Sequence, residues 1–410
     1  MAKVALVGTY DTKGAEYHFV RKTLASAGID SLTVDVGILG DSEDVDIDNH
    51  TVAAAGGHSL EQLRAKKDRG GAVSAMTAGA RKVVRDLVDQ GAVQGILGLG
   101  GTGGTTLVTA VMRSLPIGFP KVMVSTVASG DTRQYFGTSD IAMMYSVVDI
   151  AGLNSVSIPI LANAAGAIAG MVRIEAQEAA TKPVVAATMF GVTTPAVEAA
   201  RARLEALGYE VLVFHATGVG GASMESLVNA GMIAGVLDLT TTELADELVG
   251  GVFSAGETRL TAAGQVGIPQ VVSFGALDMV NFGPVETVPA EFRDRNLHVH
   301  NASVTLMRTT VDESRALGCR IAERLSTAKG DVTVVMPLGG ISAIDAEGQP
   351  FHDPDADAAL FEAFEANVAP QVRLLKREAH INDTDLAVEM ADLLHEHISG
   401  QQRRAGSMEA

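Results

Sequence analysis

The chain has 410 residues, of which 47% are hydrophobic and 20% are charged, so it can bury the cores of two or three domains. A formal net charge of −18 argues against a nucleic-acid-binding protein, because such proteins need a surplus of Lys and Arg to displace counterions from phosphates. The single cysteine, Cys319, excludes an internal disulfide, and the chain shows neither a signal region nor an apolar run of roughly 20 residues, so we expect a cytoplasmic protein outside the membrane.

The first half of the chain alternates between strand and helix patterns. Strands are predicted at 4–7, 31–36, 95–99, 121–127 and 142–148, and helices up to Ala27, at 57–90 and at 163–180. The strand runs are almost continuously apolar, which is typical of a parallel sheet covered by helices on both faces. Thr181-Lys182-Pro183 follows as the candidate linker.

The second half repeats the order of strand, glycine turn, helix, glycine and strand. Strands are predicted at 184–189, 211–214, 235–239, 270–274 and 332–336, and helices near 360–367 and 385–397. The segment 278–307 is irregular, and loops of that length inside compact domains usually bind something. We therefore predict an α/β fold with two Rossmann-like parallel-sheet subdomains in tandem, over 1–180 and 184–400, and a frayed polar tail over 401–410.

The most informative motif is the stretch Gly98–Thr105, which has five glycines in its first seven positions. Glycines can adopt positive φ and let several N–H groups point at one anion, and a helix that begins near Gly104 adds the positive end of its dipole. We therefore predict a phosphate cradle, with hydroxyl groups from Thr102 and Thr105 and a charge from Lys13. The alternative is a turn that only packs a helix against the sheet.

Two common nucleotide motifs fit this turn less well. The glycines match G-x-G-x-x-G, but a dinucleotide site requires an acidic residue about 20 positions further on, where the chain has Val124-Ser-Thr-Val127. No Gly-Lys-Ser/Thr sequence occurs, which excludes an ordinary P-loop. A Rossmann dehydrogenase is therefore the third-ranked hypothesis.

Polar residues in other loops are expected at the same edge of the sheet. Asp11 follows the first strand and Asp131 follows the fourth, where either carboxylate could bind ribose, an adenine amine or Mg²⁺, or cap a helix instead. Ser129 and Gly130 make the second loop rich in hydroxyl groups and glycine. The two loops together favour a nucleotide site more strongly than either loop alone.

In the second half, polar residues again follow a predicted strand. Asp238, Thr240 and Thr241 come directly after the strand at 235–239, at an edge where ligands are expected, and are therefore predicted to bind a substrate. We expect this second site to take a small molecule. Its ligand is not identified by the sequence.

The irregular segment 278–307 carries the candidate catalytic residues. His298 and His300 point to the same side if the chain is extended, and with Asp278 they could act as a general base. They could instead ligate a metal with Asp278 or Glu286, or only order a long loop. The amides of Asn281 and Asn301 are predicted to contact the substrate.

Seven motifs in order resemble the Tm-one-like ATP-binding family, a group of bacterial and fungal proteins related to the amino-terminal domain of the tomato mosaic virus resistance protein. These motifs are Gly8–Gly14, Leu99–Thr105, Thr126–Asp131, His215–Gly221, Asp238–Glu247, Gly275–Gly283 and His380–Asp383. The resemblance covers nearly the whole chain. It implies two Rossmann-like subdomains, ATP and Mg²⁺ bound in the first, and a homodimer. The plant relative inhibits a viral replication protein, whereas bacterial members have no settled activity.

The resemblance and the residues indicate the same nucleotide site. The predicted nucleotide-binding residues are Thr9, Asp11, Thr12, Lys13, Gly100, Gly101, Thr102, Gly103, Gly104, Thr105, Ser129, Gly130 and Asp131. Our leading hypothesis is an ATP-binding protein with a small-molecule site in its second half, acting as a bacterial metabolic enzyme that is ATP-dependent or hydrolase-like and uses a small carboxylate. The alternative hypothesis is a non-catalytic, ATP-gated dimer that binds a partner.

Overall fold

The computed structural model describes residues 2–66, 68–174 and 182–408, with side chains described as far as residue 404. The chain divides into two compact units, and the division falls within 175–181. Unit 1 is the part before this division and unit 2 is the part after it. The end of the predicted helix 163–180 and the start of the predicted linker, Thr181, lie outside the described residues.

Unit 1 is a parallel five-stranded sheet with helices on both faces. Its strands are β1 (Lys3–Gly8), β2 (Asp30–Asp35), β3 (Gly95–Gly100), β4 (Lys121–Ser125) and β5 (Ala142–Tyr145). Its helices are α1 (Tyr10–Ser26), α2 (Asn49–Ala55), α3 (Leu60–Lys66), α4 (Arg69–Asp89), α5 (Thr102–Met112), α6 (Arg133–Phe136) and α7 (Ser157–Met171). The strand order is β2-β1-β3-β4-β5, so the direction of strand addition reverses between β1 and β3.

Local residues explain where the helices of unit 1 begin. The helical pattern predicted at 57–90 consists of α3 and α4, because Asp68 accepts the N–H of Gly71 and caps a new helix. Asn154 accepts the N–H of Val156 and of Ser157, which starts α7 earlier than predicted. The buried faces of α4 and α5 cover one side of the sheet, and those of α1 and α7 cover the other.

Unit 2 has a parallel six-stranded sheet and a small antiparallel sheet. Its strands are β6 (Val184–Met189), β7 (Glu210–His215), β8 (Gly235–Thr240), β9 (Gln270–Gly275), β10 (Met279–Phe282), β11 (Leu297–Asn301), β12 (Val304–Arg308), β13 (Val332–Pro337) and β14 (Arg373–Arg377). Its α-helices are α8 (Thr194–Ala206), α9 (Val219–Asn229), α10 (Glu243–Val249), α11 (Ala262–Val266), α12 (Val311–Ser326), α13 (Pro354–Asn367) and α14 (Thr384–Met408).

The parallel sheet of unit 2 has the order β14-β13-β9-β8-β6-β7. Its first strand, β6, lies between the second and the third, as β1 does in unit 1. The predicted α/β fold of two Rossmann-like subdomains is therefore confirmed. Both units place the reversal of strand order between their first and third strands, which is where ligands bind in open α/β sheets.

The segment 278–307 is more regular than its sequence predicts. It contains β10 and β11 and most of β12, and these strands form an antiparallel sheet in the order β10-β12-β11. The sequence signal is weak because these strands have only four or five residues each. Two 3₁₀ turns, Val285–Thr287 and Ala290–Phe292, connect β10 to β11.

The carboxyl-terminal helix extends further than expected. The sequence predicts a frayed tail over 401–410, but α14 continues to Met408, and residues 409 and 410 lie outside the described residues. Among the described helices, none combines the length and the apolar character required to span a membrane.

Candidate functional site

The strands β1 and β3 separate at their carboxyl ends, and the hydroxyl group of Tyr17 fills the gap. Their pairing ends at Val7 and Gly98. Beyond that point, Tyr17 Oη donates to Val7 O at 2.6 Å and accepts the N–H of Leu99 at 2.8 Å. A Cβ on Gly8 would lie 1.9 Å from Tyr17 Oη, so only glycine fits there. Burial raises the pKa of Tyr17, which keeps its hydroxyl neutral and able to donate.

A cavity of about 930 Å³ lies beyond the carboxyl ends of these strands. Eight of the thirteen predicted nucleotide-binding residues line it: Thr9, Asp11, Thr12, Lys13, Gly101, Thr102, Gly103 and Gly104. The facing wall is largely apolar and comes from the loop after β2 and from α3 and α4, through Val36, Ile38, Leu39, Leu63, Val73 and Met76. The cavity therefore combines a polar, glycine-rich side with an apolar side.

The amino terminus of α5 opens into this cavity. Within the described residues, the N–H groups of Thr102, Gly103 and Gly104 have no acceptor, and no side chain caps the helix. Unpaired N–H groups and the positive end of the helix dipole form an anion-binding position. The predicted phosphate cradle is located at this helix terminus.

The glycines of the turn act differently from the sequence prediction. None of the five has a positive φ, so the turn does not use the left-handed backbone that glycine permits. A Cβ on Gly98 would lie 2.4 Å from a Val108 methyl group, and one on Gly100 would lie 2.9 Å from the backbone of Gly104. These two glycines permit close packing of α5 on the sheet, so the packing alternative describes part of the turn.

Among the described residues, three cations line the cavity, and two of them form hydrogen bonds within the chain. Lys13 Nζ lies 2.5 Å from Ile150 O. Arg64 donates to Ile38 O and to Asp41, both at 2.7 Å. No sequence signal identified Arg64 and Arg69, because Arg64 lies in α3 and Arg69 begins α4, both distant in sequence from the glycine-rich turn.

Arg69 is an exposed cation close to the helix terminus described above. A Cβ on Gly103 would lie 3.7 Å from Arg69 Nη2, and apart from its chain neighbours and its own helix it would meet no other described atom within 4 Å. No hydrogen bond or ion pair of Arg69 is found within the described part of the chain. Its guanidinium group is therefore free to bind an anion at the amino terminus of α5.

Two carboxylates lie at the ends of β1 and β2, beside the cavity. Asp11 lines the cavity and accepts the N–H of Leu39 at 2.8 Å, while its buried Oδ1 atom has no hydrogen-bond partner among the described residues. Asp35 is fully buried and accepts the N–H groups of Gly37 and Tyr10. Burial raises the pKa of Asp35, with backbone hydrogen bonds acting in the opposite direction.

Five predicted nucleotide-binding residues do not line the cavity: Gly100, Thr105, Ser129, Gly130 and Asp131. Thr105 is fully buried, and its hydroxyl lies 2.6 Å from that of Ser125. Asp131 instead pairs with Arg133 at 2.8 Å, and this hydrogen-bonded contact lowers the pKa of Asp131 to about 2. The loop of Ser129 is thus exposed and outside the cavity.

The corresponding place in unit 2 is filled by a buried ion network. Arg259 binds Asp238 through both terminal nitrogens, at 2.5 and 2.6 Å, and Glu243 through Nε at 2.6 Å. All three side chains are buried. Burial opposes the charged guanidinium, but the carboxylates of Asp238 and Glu243 raise the pKa of Arg259. Asp238 is therefore part of the interior, where the sequence predicted a substrate-binding residue.

Carboxylates of the chain itself occupy two helix amino termini of unit 2, those of α9 and α11. Glu243 accepts the N–H groups of Gly218 and Gly221 at 2.7 and 3.0 Å. A Cβ on Gly221 would lie 1.9 Å from Glu243 Oε2, so this glycine is needed for the close approach. Glu225 accepts the N–H groups of Leu260 and Ala262, both at 2.7 Å.

The predicted substrate-binding threonines and amides of unit 2 are also placed differently from expectation. Thr240 and Thr241 are fully buried, and Thr240 Oγ1 lies 2.7 Å from Thr193 Oγ1. Asn281 is buried against Asp246, with its Nδ2 2.6 Å from the carboxylate. Asn301 is exposed and accepts the N–H of Ser303, which orders the turn between β11 and β12.

The three predicted catalytic residues of unit 2 do not form one group. Asp278 is fully buried and accepts the hydroxyl of Ser342 at 2.7 Å. His300 is exposed on β11, and the ring of His298 packs edge-on against Phe351. Among the described residues, no set of three or more His, Cys, Asp or Glu side chains is arranged to hold a metal ion. The separation arises because Asp278 precedes β10 while the histidines are on β11, on the other side of β12.

Comparison with known proteins gives matches along most of the chain. The model of the amino-terminal domain of the uncharacterised protein family UPF0261 matches residues 2–177, and that of its carboxyl-terminal domain matches 182–398. A UPF0261 protein of Clostridium tetani is 51% identical over 395 residues, which are 96% of this chain and 98% of that protein. The ToMV resistance protein Tm-1 of Solanum lycopersicum is 49% identical over 334 residues, which are 79% of this chain and 44% of that protein.

Proposed function

The chain belongs to the uncharacterised protein family UPF0261, and on that premise we propose that its unit 1 binds a nucleoside triphosphate, ATP in the first instance, together with Mg²⁺. The observation that carries the proposal is the amino terminus of α5, where three N–H groups that have no acceptor among the described residues open into a cavity of about 930 Å³. A cavity of this size lies within the range of roughly 300–1,000 Å³ that small-molecule sites occupy.

The two sides of the cavity suit the two ends of a nucleotide. Phosphate groups would bind the N–H groups of α5 and the guanidinium of Arg69, which together offer hydrogen-bond donors and positive charge. The base would pack against the apolar wall that includes Ile38, Leu63 and Met76. Lys13 lines the polar side and adds a second cation there.

Asp11 supports the magnesium part of the proposal. Mg²⁺ usually binds proteins through one or two carboxylates and takes its other ligands from water and substrate phosphates. Asp11 lines the cavity, and its Oδ1 atom lacks a partner, so it offers the one carboxylate oxygen that this arrangement needs. Bound there, the ion would neutralise phosphate charge next to the carboxylate.

The proposal is confined to unit 1. The residues of unit 2 that the sequence predicts as substrate-binding are mostly committed to internal contacts, such as Asp238 with Arg259 and Asn281 with Asp246. Their polar groups are therefore already used within the fold. The dehydrogenase hypothesis gains no support from the carboxyl end of β2. Asp35, the acidic residue there, is buried and bound to backbone N–H groups.

Isothermal titration of the full chain with Mg-ATP tests the proposal. We expect saturable binding by the unchanged protein and by Gly103→Ala, because a Cβ at this position meets only Arg69 Nη2 at 3.7 Å. Gly103→Asp places a carboxylate at the amino terminus of α5 and should weaken binding by about tenfold or more, since it competes with phosphate for the same N–H groups. No binding by the unchanged protein, or equal affinity of the Asp variant, would overturn the proposal.

A further inference from the structure

Three carboxylates of unit 2 converge on one guanidinium group. We call Asp278, Asp345, Asp357 and Arg308 the carboxylate cluster. Asp278 directly precedes β10, Arg308 ends β12, Asp345 is in the loop after β13, and Asp357 is in the first turn of α13. The carboxylate cluster therefore joins the antiparallel sheet, α13 and the loop 338–353 that connects β13 to α13.

The side chain of Arg308 binds backbone carbonyl groups at the end of this loop. Its Nε donates to Phe351 O at 2.7 Å, and its Nη2 donates to Asp353 O at 3.3 Å and to Asp357 Oδ1 at 2.7 Å. Asp345 Oδ1 lies 3.6 Å from the same Nη2 atom. One guanidinium group thus interacts directly with two carboxylates. Although burial opposes its charge, the negative charge of nearby Asp278 also acts on it and raises the pKa of Arg308.

The other hydrogen bonds of Asp278 and Asp345 leave one buried oxygen of each carboxylate without a hydrogen-bond donor among the described residues. Ser342 donates its hydroxyl to Asp278 Oδ2 at 2.7 Å, and the N–H of Ile341 donates to Asp345 Oδ2 at 3.0 Å. Within the described part of the chain, Asp278 Oδ1 and Asp345 Oδ1 receive no hydrogen bond from an N–H or hydroxyl group, although both side chains are fully buried. A buried carboxylate oxygen without a donor is costly, and a proton on one carboxyl group supplies a donor for another.

The charges of the carboxylate cluster do not balance when all its carboxyl groups are ionised, because three negative charges then face one guanidinium. Burial, followed by repulsion from Asp345, raises the pKa of Asp278 to about 7. The same two causes, in the same order, raise the pKa of Asp357 to about 7. These carboxyl groups interact and titrate together.

Titratable side chains also contact the immediate surroundings of the cluster. His380 Nε2 lies 2.9 Å from Ser342 O, and the ring of His298 packs against Phe351. Within the described part of unit 2, Arg308 is a cation that attracts Asp278 and Asp357 and lies 3.6 Å from Asp345. Protonation of a carboxyl group is therefore the direct way to relieve the excess negative charge.

We propose that the carboxylate cluster is a proton-operated lock, which fastens the loop 338–353 to the antiparallel sheet while it holds a proton and loosens that loop when the proton is lost. Ionisation of all three carboxyl groups removes a hydrogen-bond donor and adds repulsion between Asp278 and Asp345. The loop carries Asp345 and Ser342, so this repulsion acts between the loop and β10.

The pH range of the lock follows from the direction of these pKa values. In the unfolded chain an Asp titrates near pH 4, whereas Asp278 and Asp357 in the folded unit keep a proton to about pH 7. The stabilisation is fully present below pH 4 or so and is lost as the pH rises to about 7. For each proton held, the unfolding equilibrium constant of unit 2 should rise about tenfold per pH unit across that range.

Hydrogen–deuterium exchange of the full chain, measured by mass spectrometry at about pH 6 and pH 8, tests the lock. After correction for the intrinsic exchange rate, we expect peptides covering 338–353 to be less protected at the higher pH. Asp278→Asn removes one charge and supplies an amide donor at all pH values, so the difference in protection between the two pH values should become much smaller. The matched control is Asp355→Asn, an exposed carboxylate in the same first turn of α13, which should behave like the unchanged protein.

Equal protection of the unchanged protein at both pH values would overturn the proposal, as would an Asp278→Asn variant that keeps the full pH dependence. If that variant fails to fold, infrared difference spectroscopy of the unchanged protein provides the test. The lock requires the absorption of a protonated carboxyl group at about pH 6 that disappears by about pH 8. A spectrum without this change would overturn the proposal equally.

Discussion

The two places where strand order reverses have the same topology but different contents. In each unit a hydroxyl group bridges the separating strands: Tyr17 between β1 and β3, and Thr188, which accepts the N–H of Thr240 at 3.0 Å, between β6 and β8. Beyond that bridge, unit 1 has a cavity and a free helix terminus, whereas unit 2 has Arg259 and its carboxylates. Strand order therefore places a possible site, and the side chains determine whether it is open.

Helix termini show the same difference at the level of single hydrogen bonds. The N–H groups at the start of α5 have no acceptor within the described residues, while Glu243 binds those at the start of α9. A carboxylate has the charge and oxygen geometry of an anionic ligand, so Glu243 occupies the position that a phosphate would take. Two similar folds in one chain are thus not evidence for two ligand sites.

The largest expected effect is a loss of stability in unit 2, at its buried ion network. Replacing Arg259 by Leu leaves the buried carboxylates of Asp238 and Glu243 without their cation, which should destabilise unit 2 by about 3–5 kcal/mol. Denaturant unfolding followed by circular dichroism measures this loss. The matched control is Arg201→Leu, which removes an exposed i,i+4 pair with Glu205 and should cost less than about 1 kcal/mol. Similar losses for both variants would mean that the buried network does not hold unit 2 closed.

In the cavity of unit 1, Arg69 is expected to contribute to anion binding. Arg69→Gln removes a charged donor at the amino terminus of α5 and should weaken ATP binding by about tenfold to a hundredfold, equivalent to about 1.5–3 kcal/mol. Isothermal titration at two salt concentrations measures the affinity and its salt dependence. Arg81→Gln, an exposed substitution on the same helix, is the control and should leave affinity unchanged. An unchanged affinity of the Arg69 variant would remove this residue from the proposed site.

Both units have a hydroxyl group that bridges the separating strands, and in unit 1 this bridge can be removed by substitution of Tyr17. Tyr17→Phe leaves the buried N–H of Leu99 without its acceptor and should destabilise unit 1 by about 1–3 kcal/mol. Thermal unfolding with separate probes for the two units measures the loss, which should be confined to unit 1. Tyr145 is half exposed, so Tyr145→Phe should leave stability unchanged. A Tyr17→Phe variant as stable as the parent would show that the separation of β1 and β3 does not depend on this bridge.

The smallest expected effect is a change in the stability of unit 1, which should have opposite signs at two glycines of the same turn. Gly103→Ala should stabilise unit 1 by about 0.5–1 kcal/mol, because this helical position has a negative φ and open space beside it. Gly98→Ala should destabilise it, since its Cβ would meet Val108 at 2.4 Å. Chemical denaturation of both variants gives the comparison. The same sign at both positions would contradict the separate roles assigned to them.

The sequence by itself determined the alternation of strands and helices, the parallel sheets and the position of the α5 terminus. Continuous apolar runs such as β3 are recognisable because both faces of a buried parallel strand need apolar side chains. The glycine-rich turn of unit 1 was identifiable because its residues are consecutive. Eight of the predicted nucleotide-binding residues line one cavity for the same reason, since they follow β1 and β3 directly.

Only the tertiary structure decided which polar residues remain free. Asp238 is 21 positions from Arg259, and Gly103 is 34 positions from Arg69, so neither relation is a local pattern in the chain. The short strands of 278–307 likewise gain their order from pairing with each other. A carboxylate after a strand is read from the sequence as a ligand contact, but its availability depends on charges brought to it by folding. That is why the same sequence reasoning identified an open site in unit 1 and residues committed to internal contacts in unit 2.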